Sequence, residues 1–408
     1  MNPRNEATFQ AGELRRLIDH EKLELTRWSP LAFALGSKPD GNIKSLLDRG
    51  LASDDWKTAL QSLARPICQV RVLTPGIRSS RIARFYKGAN GEKNQMIGCW
   101  FDGDGLRISF PWSPHDVAEA AKPVLDTDLP IPADSVFAAL TPAGLFVLAA
   151  AMDAIRASQL SAMLERRPPP ELRLDDADLQ HQLALGFSED DPRWSVSLLR
   201  LIGPPGLPLG ADPLIAGLRD LSAADLVKHV DGRWVPTEAL KRIAAHWSPT
   251  LPALAHEAVT LDAGGEVLEY RHCVAVRGDG PLWLVEFEAL ASHQPRVSLR
   301  SVDGATYLAF LRELINPPMN ADVIVRPELV GAVEGKFRKA ADRDRIAPSG
   351  AAKGAGAAPT DRVSGAATIK TAGVHRFCGG CGAAVQPGWK FCRECGEALK
   401  TAAQAAGG

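Results

Sequence analysis

The hydrophobic and polar positions of this chain pass through the same succession of periods twice. A helical period over Asp55–Pro66 is followed by two-residue alternation, which predicts β-strands, in CQVRVL, ARFYKG, MIGCWF and GLRISF. A second helical period over Pro236–Trp247 is followed by alternation in EAVTL, VLEYRHCVAV, LWLVEFEAL and RVSLRSV. A short helix follows each set, at HDVAEAAKPVL and ATYLAFLRELI. The two successions are offset by about 180 residues.

This repeated order predicts the fold class. We expect an α+β fold of two quasi-repeated halves, each with helices packed on an antiparallel sheet, followed by a C-terminal zinc ribbon on a disordered linker. Each half also contains an Asp-Gly pair between two apolar runs, Asp104-Gly105 and Asp279-Gly280, which predicts a tight hairpin turn. If the halves are related, the two hairpins should lie at equivalent places.

Composition divides the chain into five segments. We expect a first α+β half, a long helix with a proline-rich joint, a second α+β half, a flexible linker and a zinc ribbon, at residues 1–130, 131–170, 171–335, 336–374 and 375–400. Residues 339–374 are rich in Ala, Gly, Ser, Thr and Pro and show no hydrophobic period. Such a segment cannot bury enough apolar surface to offset its ordering entropy, which predicts the flexible linker.

A long helix is predicted from about Pro142 to Arg167. Apolar residues recur on one of its faces at Leu145, Leu148, Met152 and Ile155, which is typical of a core helix. The apolar run inside it is ten residues long, too short for a membrane span, and no apolar region of a secretory signal is visible near the N-terminus. We therefore expect a cytoplasmic protein without a membrane span.

Charge and cysteine content narrow the function classes. The 408 residues are 45% hydrophobic and carry a net charge of −1, so the chain as a whole lacks the basic surplus of a nucleic-acid-binding protein. From Gly331 onward there are 12 Lys and Arg against 6 Asp and Glu, a local charge of +6. Three of the seven cysteines, Cys68, Cys99 and Cys273, are scattered, which predicts buried thiols in a reducing compartment.

The other four cysteines form the motif that carries chemistry. Cys378 and Cys381 make one C-x2-C pair, ten residues separate it from the next, and Cys392 and Cys395 make the second. Four thiolates satisfy the tetrahedral coordination of one zinc ion and leave no position for a catalytic water. A segment of this length is too short to build a stable hydrophobic core. Metal binding would therefore supply its folding free energy. A redox-active iron centre of the rubredoxin kind uses the same double pair and remains the alternative.

The segment 376–400 resembles the bacterial and archaeal zinc-ribbon family, whose repeated phrase is F-C-x-x-C-G. Phe377-Cys378 and Phe391-Cys392 begin two such phrases in this chain. The resemblance implies one structural Zn²⁺ held by the four cysteines.

Candidates for catalysis are few and have structural explanations. Glu286 and Glu288 share a strand face and could form an acid–base pair, but a solvated strand face also explains them. His272 lies among apolar residues and is more simply a core histidine than a base or ligand. No nucleophile elbow, HExxH motif or dinucleotide fingerprint is present, so we expect no enzymatic activity.

A nucleic-acid partner has one candidate segment. Residues 212–247 contain short helices around an Asp231-Gly232 turn, loosely like a winged-helix unit. Their basic and acidic residues balance, whereas phosphate contacts dominate affinity for nucleic acid. DNA or RNA binding is therefore kept as an alternative.

The body in front of the linker resembles the chaperones of type VII secretion that bind PE–PPE proteins. Those chaperones have two quasi-equivalent α+β halves and a phrase of the kind L-A-x-P before an alternating strand, here Leu63-Ala64-Arg65-Pro66 and CQVRVL. The zinc ribbon departs from their pattern. The resemblance implies binding of a protein client and assigns no contact residue.

The sequence thus favours a non-enzymatic, zinc-binding adaptor or chaperone-like protein that binds a protein partner through its α+β body. A nucleic-acid-binding or transcription-linked regulator is one alternative. An enzyme without a recognisable local motif is the other.

Overall fold

The computed structural model describes residues 5–316, except 52, 76–80, 89–94, 103–104, 128–135, 169–172, 190, 205, 208, 211, 248–251 and 289–294, and also residues 376–377 and 384–385. The strands are β1 (Asn5–Gln10), β2 (Pro66–Thr74), β3 (Arg81–Gly88), β4 (Met96–Asp102), β5 (Gly105–Trp112), β6 (Phe137–Leu140), β7 (Val227–Val230), β8 (Arg233–Pro236), β9 (Ala253–Leu261), β10 (Val267–Arg277), β11 (Leu282–Glu288), β12 (Arg296–Val302), β13 (Arg376–Phe377) and β14 (Ala384–Val385).

Most helices are short. They are α1 (Ala11–His20), α2 (Ile43–Leu46), α3 (Asp54–Ala64), α4 (Pro114–Glu119), α5 (Lys122–Leu125), α6 (Pro142–Leu164), α7 (Asp176–Ser188), α8 (Ser195–Ile202), α9 (Pro213–Ala223), α10 (Glu238–His246) and α11 (Gly304–Ile315). A 3-10 helix at Pro30–Gly36 and a π-helical turn at Leu47–Leu51 complete the described set.

Ten strands form one antiparallel sheet in the order β1-β5-β4-β3-β2-β9-β10-β11-β12-β6. This confirms the α+β class. Strands β2–β5 form one meander and β9–β12 form a second. From either edge inward, the sheet begins with an edge strand, β1 or β6, and continues with the fourth, third, second and first strands of a meander. The first sheet half is β1–β5, the second is β6 with β9–β12, and β2 pairs with β9 at the seam between them.

Helices cover both faces of the sheet. On one face, which we call the helix-rich face, α1 and α3 pack on the first half and α6 with its neighbours packs on the second, in two hydrophobic clusters. On the opposite face, α4, α5 and α11 pack in a third cluster around Val70, Phe85 and Ala275.

The two Asp-Gly pairs do not lie at equivalent places, so that expectation is wrong. Gly105 begins β5, so the first pair belongs to the connection between β4 and β5, the third and fourth meander strands. Asp279 and Gly280 lie between β10 and β11, the second and third strands of the other meander. An Asp-Gly pair predicts a tight turn but does not say which two strands the turn connects.

Helix α6 is not an amphipathic helix with one buried face. Every residue from Pro142 to Asp153 is buried, because α7, α8, α9 and α10 surround the helix on the side away from the sheet. Gly217 lets the backbone of α9 lie close against α6, because a Cβ at this position would be 2.4 Å from the Val147 side chain. The helix is therefore the centre of a helical cluster.

Two carboxylates fix the neighbours of α6. Asp153 is buried and accepts hydrogen bonds from the first amides of α8, Ser195 N at 2.9 Å and Val196 N at 3.1 Å. Asp220 of α9 accepts a hydrogen bond from Thr141 N, at 3.0 Å, just before α6 begins. Carboxylates at helix N-termini satisfy amides that have no partner inside the helix.

A small hairpin follows α9. Strands β7 and β8 are joined by Asp231 and Gly232, both with positive φ (50° and 75°), which is the backbone of a type I′ turn. Leu174 pairs with Trp234 of β8 and adds a third strand segment. Residues 212–247 thus keep the helix-and-hairpin arrangement expected from sequence.

Among the described helices, α6 alone is long and apolar enough to cross a membrane by length and composition. Of its most apolar window, 67% is buried inside the protein. Burial by α7–α10 and the sheet places it in the core.

Candidate functional site

The four predicted zinc ligands, Cys378, Cys381, Cys392 and Cys395, lie outside the described residues. Strands β13 and β14 flank the first C-x2-C pair, with Phe377 opposite Ala384. Within residues 5–316, as far as they are described, no group of three or more His, Cys, Asp or Glu side chains could hold a metal.

The three scattered cysteines are buried free thiols, as predicted. Burial raises the pKa of Cys68 to about 12 and raises that of Cys99 and Cys273 further. These thiols stay protonated at neutral pH and have no nucleophilic character.

A buried ionic network lies at the seam between the sheet halves. Arg71 of β2 and Glu257 of β9 are directly opposed in register, and their charged groups approach to 3.1 Å with side chains 1% exposed. His272 Nδ1 lies 3.3 Å from Glu257, and the Tyr270 hydroxyl lies 3.2 Å from the same nitrogen. Charged groups closed off from water in this way hold structure and are not open to a substrate.

Burial explains the electrostatics of this network. It lowers the pKa of Arg71, and the Glu257 carboxylate opposes that shift. It also raises the pKa of Tyr270 well above its ordinary value, with Glu257 adding to the effect. The prediction that His272 is a core histidine is confirmed, because its ring is buried and in contact with Glu257 and Tyr270.

The Arg71–Glu257 pair was missed in the sequence. Both residues stand inside strands of apolar alternation, CQVRVL and EAVTL, where each could equally face solvent. The one available signal was that the strands bearing them are the first strands of two related meanders. Two such first strands can pair with each other when the two meanders join into one continuous sheet.

The Glu286 and Glu288 pair does not form a site. Glu286 is half-buried and lies 3.3 Å from Arg300, while Glu288 is exposed. Burial raises the pKa of Glu286, and Arg300 counteracts that rise. The ion pair with Arg300 accounts for Glu286, and exposure to solvent accounts for Glu288.

A polar cavity of about 350 Å³ adjoins the outer edge of β1. Its walls are formed by Glu6, Ala7, Thr8, Arg49, Leu51 and Trp56. Arg49 donates to the Thr8 carbonyl at 3.1 Å and pairs with Glu13 at 3.1 Å. The guanidinium therefore covers the backbone of this edge and is already neutralised by a carboxylate.

An apolar stripe lies at the C-terminal end of α6. Leu160, Met163 and Leu164 are 49%, 72% and 85% exposed, in a helix whose first half is almost wholly buried. Their i, i+3, i+4 spacing puts them side by side on one face. We call these three residues the α6 stripe.

The stripe stands out against the rest of the described surface. Seven large hydrophobic side chains are exposed there, and three of the seven fall within five residues of α6. The others are dispersed singly, at Leu35, Phe137, Ile215 and Val230. Single exposed apolar residues are ordinary on a protein surface, whereas a contiguous group marks an interaction site.

Comparisons with known proteins give a weak structural likeness. No protein-family model matches the sequence, and no curated protein matches it. A chain in the structure of the Mycobacterium tuberculosis type VII secretion system chaperone EspG5 in complex with a PE25–PPE41 dimer is similar, with a TM-score of 0.41 and 9% identity. The match covers 78% of this chain and 98% of that chain.

This is a weak structural resemblance to the chaperone group whose layout the sequence resembles. At such a score and identity it says nothing about function, which has to follow from this chain's own side chains.

Proposed function

We propose that this protein is a non-enzymatic, zinc-binding adaptor or chaperone-like protein whose α+β body binds a protein client. The observation that supports client binding is the α6 stripe, three adjoining large apolar side chains at 49–85% exposure. Exposing these side chains to water is unfavourable by about 25 cal/mol per Å² of apolar surface. A partner that covers them recovers that free energy.

The geometry of the stripe favours a helical client. Side chains at i, i+3 and i+4 form a ridge that packs into the groove of another helix, and amphipathic helices bind apolar surfaces through residues with this same spacing. The proposed client therefore presents an apolar helical segment. The zinc ribbon makes a second contact, coupled to the first by effective concentration along the linker.

A paired-variant experiment tests the client site in the full-length chain. The stripe variant is Met163→Glu/Leu164→Glu, and the control is Leu35→Glu, which charges an exposed leucine elsewhere. Proteins that co-purify with the wild-type chain are identified by mass spectrometry, and the recovered client is titrated by calorimetry. We expect at least tenfold weaker binding for the stripe variant, about 1.4 kcal/mol, and wild-type binding for the control.

Equal affinity of the stripe variant and the wild type would overturn the client site. Because all three substituted residues, Leu35, Met163 and Leu164, are exposed, the melting temperatures of the two variants should match that of the wild type.

The zinc part of the proposal has its own test. Purified protein should contain one zinc per chain, and Cys392→Ser should release it, since three remaining thiolates do not complete the tetrahedron. The body should keep its melting temperature if residues 336–374, which lie outside the described residues, form the linker predicted from the sequence. A metal content of iron, or none, would contradict the assignment.

A nucleic-acid regulator remains the second candidate because α9, β7 and β8 form a helix-and-hairpin unit with an exposed tip. Its exposed charges balance: Arg219, Lys228 and Arg233 against Asp212, Asp225 and Asp231. Binding to DNA that weakens steeply with salt, in a chain whose stripe variant is unaffected, would favour this function over the adaptor.

A further inference from the structure

The α6 stripe continues a side of α6 on which the chain's own helices pack. Phe146, Asp153 and Leu160 stand seven residues apart, about two turns of helix, so they lie along one side of α6. Phe187 of α7 packs against Phe146 with ring centroids 5.2 Å apart, and the first amides of α8 bind Asp153. Further along the same side, Leu160 and Leu164 are exposed. The stripe therefore begins where the packing of α7 and α8 on this side ends.

An arginine borders the stripe on the side of α8. Arg156 precedes Leu160 by four residues and Met163 by seven, so its side chain starts one turn from the stripe on the same side of α6. The guanidinium carbon lies 5.4 Å from the centre of the Trp194 ring, and Nη1 donates to the Arg193 carbonyl at 3.0 Å. The ring and the carbonyl hold the guanidinium in one orientation before any partner binds.

This guanidinium keeps donors for a further acceptor. It carries five N–H donors, and among the described residues the Arg193 carbonyl is its one hydrogen-bond acceptor. The carboxylate that it pairs with, Asp153, is 3.6 Å away at Oδ1, beyond hydrogen-bond length. Asp153 is itself engaged by the amides of Ser195 and Val196. A partly buried cation with open donors beside an apolar surface is complementary to a carboxylate.

We propose that the helical client of the α6 stripe places an Asp or Glu side chain on Arg156, one helical turn from the apolar residues that cover the stripe. The inference rests on the proposed function and names the chemistry of the client, an amphipathic helix with a carboxylate at the end of its apolar ridge. A carboxylate accepts two parallel hydrogen bonds from a guanidinium, which fixes the register of the bound helix.

A second copy of this chain is a poorer partner for the stripe. Contacts between two copies are commonly twofold symmetric, so each stripe would pack on the other. With the two α6 helices antiparallel, Arg156 of one copy would face Arg166 and Arg167 of the other, where Glu165 already pairs with Arg167. With the helices parallel, Arg156 would face Arg156. Like charges opposed in this way weaken both arrangements.

A membrane surface is also a poorer partner, because Arg156 is recessed. Its side chain is 19% exposed, while Met163 and Leu164 are 72% and 85% exposed. A lipid surface contacts the side chains that protrude most, whereas a side chain of a helix docked on the stripe reaches into the recess beside Trp194. Arg and Trp in such water-poor positions are enriched among the residues that dominate binding energy.

The test uses a fluorescent synthetic peptide that forms an amphipathic helix. Leucines at i, i+3, i+4 and i+7 make one face, alanine and glutamine fill the others, and a glutamate stands one turn beyond each end of the leucines. The matched peptide has glutamine in place of both glutamates. Binding to the full-length wild type, to Arg156→Gln and to the control Arg107→Gln is measured by fluorescence anisotropy. Arg107 is exposed and also lies over a tryptophan ring, 5.3 Å from that of Trp100.

We expect the glutamate peptide to bind the wild type and Arg107→Gln about tenfold more tightly than the glutamine peptide, since a hydrogen bond between charged groups is made only by the former. The two peptides should bind Arg156→Gln equally. Comparing both peptides on the wild type keeps the test independent of the stability of Arg156→Gln, in which the buried Asp153 loses its ionic partner.

The contrary outcomes separate this inference from the proposed function. Equal binding of the two peptides to the wild type, with both lost in Met163→Glu/Leu164→Glu, would overturn the acidic contact and leave the stripe as the client site. Saturable binding by neither peptide would overturn the helical client as well. A dimer in sedimentation, or binding to vesicles of anionic phospholipid, that the stripe variant abolishes would replace the client with a second copy or a membrane.

Discussion

The two sheet halves share one strand order but carry different helices. In the first half, α1 and α3 cover the helix-rich face, and the stretch between them is a 3-10 helix, one turn of α-helix and a π-helical turn. In the second half, the corresponding stretch contains α7, α8, α9 and a hairpin packed around α6. One topology therefore supports both a thin and a thick helical layer.

The exposed surfaces follow this difference. Of the seven large hydrophobic side chains exposed in the described residues, only Leu35 belongs to the first half. The α6 stripe, Phe137, Ile215 and Val230 all belong to the second. In the first half, Arg49 covers the backbone of the β1 edge. The second half carries most of the exposed apolar side chains, which a partner could cover.

The seam gives the largest expected effect. Arg71→Met should lower the free energy of unfolding by about 3–5 kcal/mol, because Glu257 would be left as a buried charge with one fewer partner. Urea titration followed by circular dichroism measures the change. The double variant Arg71→Met/Glu257→Leu should recover part of the loss, and a double variant less stable than the single one would contradict this account.

His256, a buried histidine of β9 in the second half, should make the free energy of unfolding depend on pH. His256 hydrogen-bonds the Tyr307 hydroxyl at 2.8 Å, and burial, then repulsion from His272, lowers the pKa of His256 to about 3. The unfolded chain binds that proton near pH 6.5, so stability should fall as the pH drops from 6.5 toward 3, by at most about 1.4 kcal/mol per unit.

His256→Gln should flatten this dependence in denaturant titrations across that range. An unchanged slope would show that other groups carry it.

The close packing of α9 on α6, both in the second half, is the next test. Gly217→Ala should destabilise the protein by about 1–3 kcal/mol, because its Cβ would meet Val147 at 2.4 Å. Gly36→Ala is the matched control, as no atom lies within 4 Å of its Cβ position. Equal melting temperatures for the two variants would mean that α6 and α9 separate easily.

The smallest effect is expected at the stripe itself. Leu164 is 85% exposed, so Leu164→Ser should change the free energy of unfolding by less than about 0.5 kcal/mol. A larger decrease in the free energy of unfolding, measured by heat or urea, would show that Leu164 packs against other residues of this chain and is not free to contact a partner.

The repeated meander could be predicted from sequence because strands of alternating polarity and their flanking helices report directly on local backbone structure. Sheet order could be anticipated only in part. The two Asp-Gly pairs were expected at equivalent turns, but Gly105 and Gly280 follow different strands of their meanders. A two-residue turn is decided by local backbone geometry, and several connections of one sheet satisfy it.

Contacts between distant segments escaped prediction. The pattern of α6 indicated one apolar face, yet the alanines on its other faces are buried as well by α7–α10. Alanine is compatible with both core and surface, so periodicity could not reveal that second layer. Arg71 and Glu257 were missed for the same reason, since only the pairing of β2 with β9 makes two isolated charges into one buried pair.

The central claim is that the second half carries the client surface, and hydrogen exchange of the full-length protein with and without its co-purified client tests it most directly. The account predicts added protection at the end of α6, around residues 155–164, and little change in β1–β5. Protection confined to the first half, or to the β7–β8 hairpin in the presence of DNA, would contradict it.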